Sequence, residues 1–174
     1  MKNFLAKTVG RRAPWIILGV MALFFVAIAH FGFEKWLFMP PCEQCVYVRV
    51  GYVAFALGAF IVALKPTFVL TKALGALLSL YGAMYSLLAA VTLSKIHAAL
   101  HSENVDALFG LQGCSSQPTF PLNLPLDDWC PSLFSVTGDC GIDAPVVPSG
   151  TTLTGLQNYF VSLYTASDGC YLSP

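Results

Sequence analysis

Three long apolar runs, separated by short breaks and followed by a polar tail, organise this chain. They cover residues 13–33, 46–64 and 68–93. A helix rises about 1.5 Å per residue, so roughly 20 apolar residues cross a bilayer core. Each run therefore predicts a membrane-spanning helix. Only Arg49 interrupts the second run, and Lys72 sits near the start of the third. Lys65-Pro66-Thr67 predicts a tight turn between them. Pro40-Pro41 cannot continue a helix and favours an extended approach. Cys42 is then expected to start or cap the second helix, with Cys45 in its first turn.

The tail, residues 94–174, reads as a separate outward region. Ile96, Leu100 and Leu108 can continue an amphipathic helix towards Gly110. The proline-rich stretch Pro118–Pro131 predicts mostly extended chain. Leu153, Leu156, Phe160 and Leu163 recur at helical spacing, with Asp168-Gly169 as a stop. Gly75 and Gly82, with Ala73, Ala76, Ser79 and Ala83, predict close helix approach in the third run.

Composition agrees with a membrane protein. Of the 174 residues 56% are hydrophobic and 10% charged, against about 25% charged in soluble domains. Formal net charge is zero, which gives no argument for a nucleic-acid partner. Six of the nine Lys and Arg residues are Lys2, Lys7, Arg11, Arg12, Lys65 and Lys72. They flank the first run and the Lys65 turn, which places those regions in the cytoplasm. The loop 34–45 and the tail 94–174 then face outward. All six cysteines fall in these two outward segments, where disulfides persist.

The chemistry lies in those cysteines. Cys42-Glu43-Gln44-Cys45 is a Cys-x-x-Cys unit at a helix start, where free N–H groups favour a thiolate. Arg49 follows Cys45 by one turn, and a cation at that depth is a functional candidate; its plain alternative is snorkelling to the interface. Cys114 and Cys140 form a second candidate pair in Gly- and Ser-rich loops. They lack basic neighbours, and Asp139 disfavours a thiolate at Cys140. Stabilised thiolates make a disulfide more oxidising, so electrons are expected to run from Cys114–Cys140 to Cys42–Cys45. A lipid-soluble quinone near Arg49 is the economical final acceptor. Two other functions compete. One is a scaffold tied by static disulfides. The other is a metal-handling protein using Cys42, Cys45, His97 and His101.

Pro41-Cys42-Glu43-Gln44-Cys45-Val46-Tyr47-Val48-Arg49 resembles the signature of the DsbB family of membrane thiol:quinone oxidoreductases. Phe109–Cys114, Pro118–Leu126 and Thr137–Gly141 resemble its DsbI branch, so the resemblance covers nearly the whole chain. It implies an all-α fold, a four-helix transmembrane bundle with a cysteine-bearing periplasmic loop, as one domain over residues 1–174. Three spans are evident here, and Tyr171–Pro174 fall where a fourth would begin.

The resemblance also implies an enzyme of the bacterial inner membrane that re-oxidises a periplasmic thioredoxin-fold oxidase of DsbA or DsbL type. Cys114 would form the mixed disulfide with that partner. Cys140 would be its resolving cysteine and pair transiently with Cys42. Cys45 would engage the quinone, ubiquinone or menaquinone, beside Arg49. His97 matches a position linked to quinone binding, and it is equally an interfacial histidine. The family pattern does not require Cys130 or Cys170. They form a structural bridge, or one is free.

Overall fold

The computed structural model describes residues 11–100, 115, 117–140 and 145–168. Among these it contains helices, turns and irregular chain, without strands. Helix α1 spans Arg12–Ala27 and continues as a π-helical stretch, Ile28–Trp36. Helix α2 spans Glu43–Leu64 and α3 spans Val69–Leu100. Three short helices follow: α4, Leu126–Trp129; α5, Pro131–Phe134; and α6, Gly155–Asp168.

Three segments are long and apolar enough to cross a membrane: Arg12–Trp36, Glu43–Leu64 and Val69–Ala99. They match the expected spans 13–33, 46–64 and 68–93, with the third running further. The chain packs as two compact units, residues 1–27 with 47–90, and residues 28–46 with 91–174.

The first unit is a membrane-type helix assembly. Its outer faces expose large apolar side chains such as Phe24, Leu57, Leu77 and Leu88, as lipid contact requires. Where hydrophobic burial offers no drive between helices, close packing and interhelical hydrogen bonds must hold them. Two glycine pairs provide the packing between α2 and α3. A Cβ on Gly58 would come 2.5 Å from the Gly75 carbonyl oxygen, and one on Gly82 would come 2.5 Å from that of Gly51. Members of each helix's pair are seven residues apart, two turns along one face. Hydroxyls fasten the same seam: Ser79 Oγ donates to Phe55 O at 3.2 Å, and Ser86 Oγ to Val48 O at 3.2 Å. On the other side of α2, Gly19 of α1 meets the Phe60 ring, and Phe25 lies 6.1 Å from Tyr52, centroid to centroid. Lys65-Pro66-Thr67 makes the expected turn, closed by Phe68 N–H to Lys65 O at 3.1 Å.

The second unit begins with the π-helical stretch. Leu37 N–H donates to Gly32 O at 3.0 Å, and Met39 N–H to Phe33 O at 3.0 Å. That second bond joins residues six apart, one more than the closure of a Schellman end. Phe38 takes the left-handed position, φ 55°, where glycine is usual and other residues are strained. The bend turns its carbonyl to accept Val146 N–H at 2.9 Å. Within the stretch, His30 is buried and its Nδ1 shares a 3.0 Å hydrogen bond with Glu34 Oε2.

Helix α6 carries Leu156, Phe160 and Leu163 of the expected spacing and ends at Asp168, while Leu153 lies just before it. Gln157 holds both ends of its docking. Its Oε1 accepts the Thr154 N–H at 3.4 Å, half of a capping box, and its Nε2 donates to Trp36 O at 2.6 Å. Phe160 adds an edge contact to Trp36 at 5.8 Å.

The extended reading of Pro118–Pro131 needs correction. The segment holds a 3-10 turn, Pro121–Asn123, and helix α4, and Pro131 opens α5. Pro121 and Pro131 sit in the first helical turn, where the missing N–H costs nothing. The prolines therefore start short helices here. Phe120 and Phe134 pack edge to face at 6.2 Å beneath them. The expected continuation from Leu100 to Gly110 lies outside the described residues.

Candidate functional site: a sulfur cluster at a helix start

The Cys-x-x-Cys unit sits where its sequence context places it. Glu43 opens α2, so Cys42 is the N-cap residue. Its carbonyl accepts the first helical bond, from Val46 N–H at 3.0 Å. Its sulfur accepts the Cys45 N–H at 3.3 Å. Cys42 thus fills the place that a serine oxygen usually takes, capping one of the orphan N–H groups. The positive end of the helix dipole lies there and favours negative charge on sulfur. The Cys42 and Cys45 sulfurs lie 2.7 Å apart. At that separation the pair can open and close as a disulfide with little backbone movement.

Cys140 meets them. Cys42 is 3% exposed and Cys140 8%, and the two share a buried cluster with Ile96 of α3, flanked by Cys45 and Leu93. Main-chain bonds build this meeting. The N–H groups of Thr137 and Gly138 both donate to Pro41 O at 3.1 Å. Gly138 lies so close to Pro40 that a Cβ would collide with the Pro40 carbonyl. Proline has no N–H to offer, so the Pro40-Pro41 carbonyls are left as acceptors for a segment arriving from elsewhere. One residue before Cys42 and two before Cys140 are therefore fixed to each other.

Cys140 is in a disulfide. Cys114, Cys170 and His101 lie outside the described residues. The residue after Cys114 is described, however: Ser115 N–H donates to Glu43 Oε2 at 2.7 Å. Glu43 itself is 8% exposed. In the sequence Glu43 reads as a spacer between two cysteines. A carboxylate opening an otherwise apolar span is the signal that marks it out, since burying a charge demands partners.

Arg49 lies one turn beyond Cys45 along α2 and is 5% exposed. The long guanidinium stem is thus taken up within the protein, against the snorkelling alternative. His97 lies next to Ile96 in the last turns of α3, with Nδ1 buried. Cys130, between α4 and α5, is an exposed thiol. It is not bridged to Cys170, which corrects one of the two options for the extra cysteines. Among the described residues no three His, Cys, Asp or Glu side chains group as metal ligands.

Known proteins carry the same pattern. A family model described as disulfide bond formation protein DsbB matches residues 11–167. The protein-disulfide oxidoreductase DsbI of Escherichia coli O1:K1 is 43% identical over 164 residues, 94% of this chain and 74% of the relative. Its counterpart in Salmonella typhimurium is 43% identical over 164 residues, covering 94% and 73%. With three span-like helices and the cysteine cluster in place, the chain belongs to the DsbB family, in its DsbI branch, and is a membrane-spanning oxidoreductase.

Proposed function

We propose that this chain re-oxidises a periplasmic thioredoxin-fold dithiol oxidase of DsbA or DsbL type and delivers the electrons to a membrane quinone. One observation carries the reading: Cys42 and Cys140 are buried in one cluster, with the chain before each of them fixed by shared hydrogen bonds. A static scaffold needs no Cys-x-x-Cys pair packed against a disulfide-bonded cysteine. A relay does.

The steps balance as two-electron exchanges. A partner thiolate attacks Cys114 Sγ, the Cys114–Cys140 bond breaks, and Cys140 leaves as a thiolate. Cys140 then attacks Cys42 Sγ, the Cys42–Cys45 bond breaks, and Cys45 leaves as a thiolate. The partner's second thiolate releases oxidised partner and frees Cys114. Cys114 attacks Cys140 Sγ, restoring its own disulfide and releasing Cys42. Partner dithiol has become disulfide, and Cys42–Cys45 holds the two electrons.

Quinone, when bound, accepts those two electrons with two protons. Quinone oxygens need donors, and the buried Arg49 guanidinium offers five N–H groups and a fixed charge. His97, with a buried ring nitrogen, is the second candidate donor. The Lys and Arg placement puts the N-terminus in the cytoplasm and both couples on the periplasmic side of the inner membrane.

The test is quinone reduction by a reduced thioredoxin-fold oxidase, followed optically. Wild-type protein should turn over, and Cys42→Ser and Cys45→Ser should each abolish turnover. Unchanged turnover in either variant rejects the function.

A further inference from the structure

Glu43 has a role that neither helix propensity nor the relay chemistry accounts for. An acidic residue in a first helical turn ordinarily faces water and compensates the dipole. Glu43 instead is buried, and its Oε2 reaches a residue 72 positions away, accepting the Ser115 N–H at 2.7 Å. Ser115 is itself held in a local turn: its Oγ donates to Gln117 O at 2.9 Å and accepts Gln117 N–H at 3.1 Å. A carboxylate between the cysteines of one couple thus grips the residue after a cysteine of the other.

We propose that Glu43 is a positioning residue, a strap that keeps the Cys114 segment beside the Cys42–Cys45 couple while the sulfurs exchange. The inference rests on the relay proposed above. The strap matters at one step. Once Cys140 is bonded to Cys42, the cycle finishes only when the Cys114 thiolate attacks Cys140 Sγ, the Cys42–Cys140 bond breaks and Cys42 leaves as a thiolate. Two clamps then divide the work: the Pro41 carbonyl holds Cys140 to Cys42, and the Glu43 carboxylate holds the neighbour of Cys114 to the same helix start. Without the strap, the residue next to the attacking cysteine is no longer anchored at the helix start, and orientation is a large part of such rates.

The experiment uses the full chain in lipid nanodiscs with dithiothreitol as donor and decylubiquinone as acceptor. Thiols are trapped by rapid alkylation and the disulfides mapped by mass spectrometry. Glu43→Ala should accumulate the Cys42–Cys140 mixed disulfide and slow turnover by about tenfold or more. Glu43→Gln keeps an acceptor oxygen without the charge, and should restore most of the rate. Ser115→Pro removes the donor N–H and should reproduce Glu43→Ala. The double variant should be no slower than either single one, because both remove the same bond.

Amide exchange at Ser115 supplies a readout independent of turnover. It should be slow in wild type, fast in Glu43→Ala and slow again in Glu43→Gln. If Glu43→Gln is as slow in turnover as Glu43→Ala, charge and not the strap is responsible, and the proposal falls. Fast Ser115 exchange in wild type also overturns it. If wild type moves no electrons to decylubiquinone while Ser115 stays protected, the relay fails and the strap loses its proposed role, though its bond stands.

Discussion

Gly138 lies against Pro40 with no room for a Cβ between its backbone and the Pro40 carbonyl, and its N–H donates to Pro41 O at 3.1 Å. That contact sets how near Cys140 can come to Cys42. Gly138→Ala should push the two segments apart, at a cost of about 1–3 kcal/mol for the overpacked site. Turnover should fall more steeply than stability, because the exchange geometry is lost first. Thermal unfolding and steady-state assays on the same preparation check this. Normal turnover in the Ala variant would remove Gly138 from the account.

The α2–α3 seam makes a different prediction, about stability alone. Gly58 and Gly75 meet backbone to backbone. Gly58→Ala or Gly75→Ala should destabilise the helix pair by about 1–3 kcal/mol. Ser79→Ala removes one hydroxyl bond to Phe55 O and should cost only about 0.6 kcal/mol, the average for such bonds in membranes. Reversible unfolding in mixed micelles measures both. An effect of Ser79→Ala larger than that of Gly58→Ala would contradict the assignment of the seam to close packing.

Gln157 joins α6 to the end of the π-helical stretch through Trp36 O. Gln157→Leu keeps the bulk and removes the donor to the Trp36 carbonyl, which should cost about 0.5–1.5 kcal/mol locally, the net worth of one such hydrogen bond. The chain around residues 149–154 should become a protease site. Unchanged digestion would show that the Trp36–Phe160 contact holds the helix by itself.

Arg49 is buried on α2, one turn beyond Cys45. Arg49→Ala should weaken quinone use at least about tenfold while leaving mixed-disulfide formation with a reduced partner intact. Stopped-flow quinone kinetics alongside gel trapping separate the two steps. Wild-type quinone kinetics would take Arg49 out of the site.

Apolar run length makes the spans legible in the sequence, because about 20 consecutive apolar residues match a bilayer core and exceed what a soluble core helix needs. The Cys42 cap is legible for a similar reason: Pro40-Pro41 leaves only one place for the helix to start. Glu43 and Gly138 are not. Their roles lie in contacts with Ser115 and Pro40, across separations that no local pattern encodes. The short helices at Leu126 and Pro131 escape a sequence reading because proline suggests a breaker even where it stands at a first turn. His30 and Glu34 are open to recognition from their spacing, yet the π-helical geometry that carries them is not.

The meeting of the two sulfur couples is tested most directly by leaving only one cysteine of each couple, Cys42 and Cys140. In a Cys45→Ala, Cys114→Ala variant, mild oxidation should link Cys42 to Cys140 quickly and nearly completely, as mapped by mass spectrometry. A variant that stays unlinked, or links Cys42 to Cys130 instead, would contradict the relay.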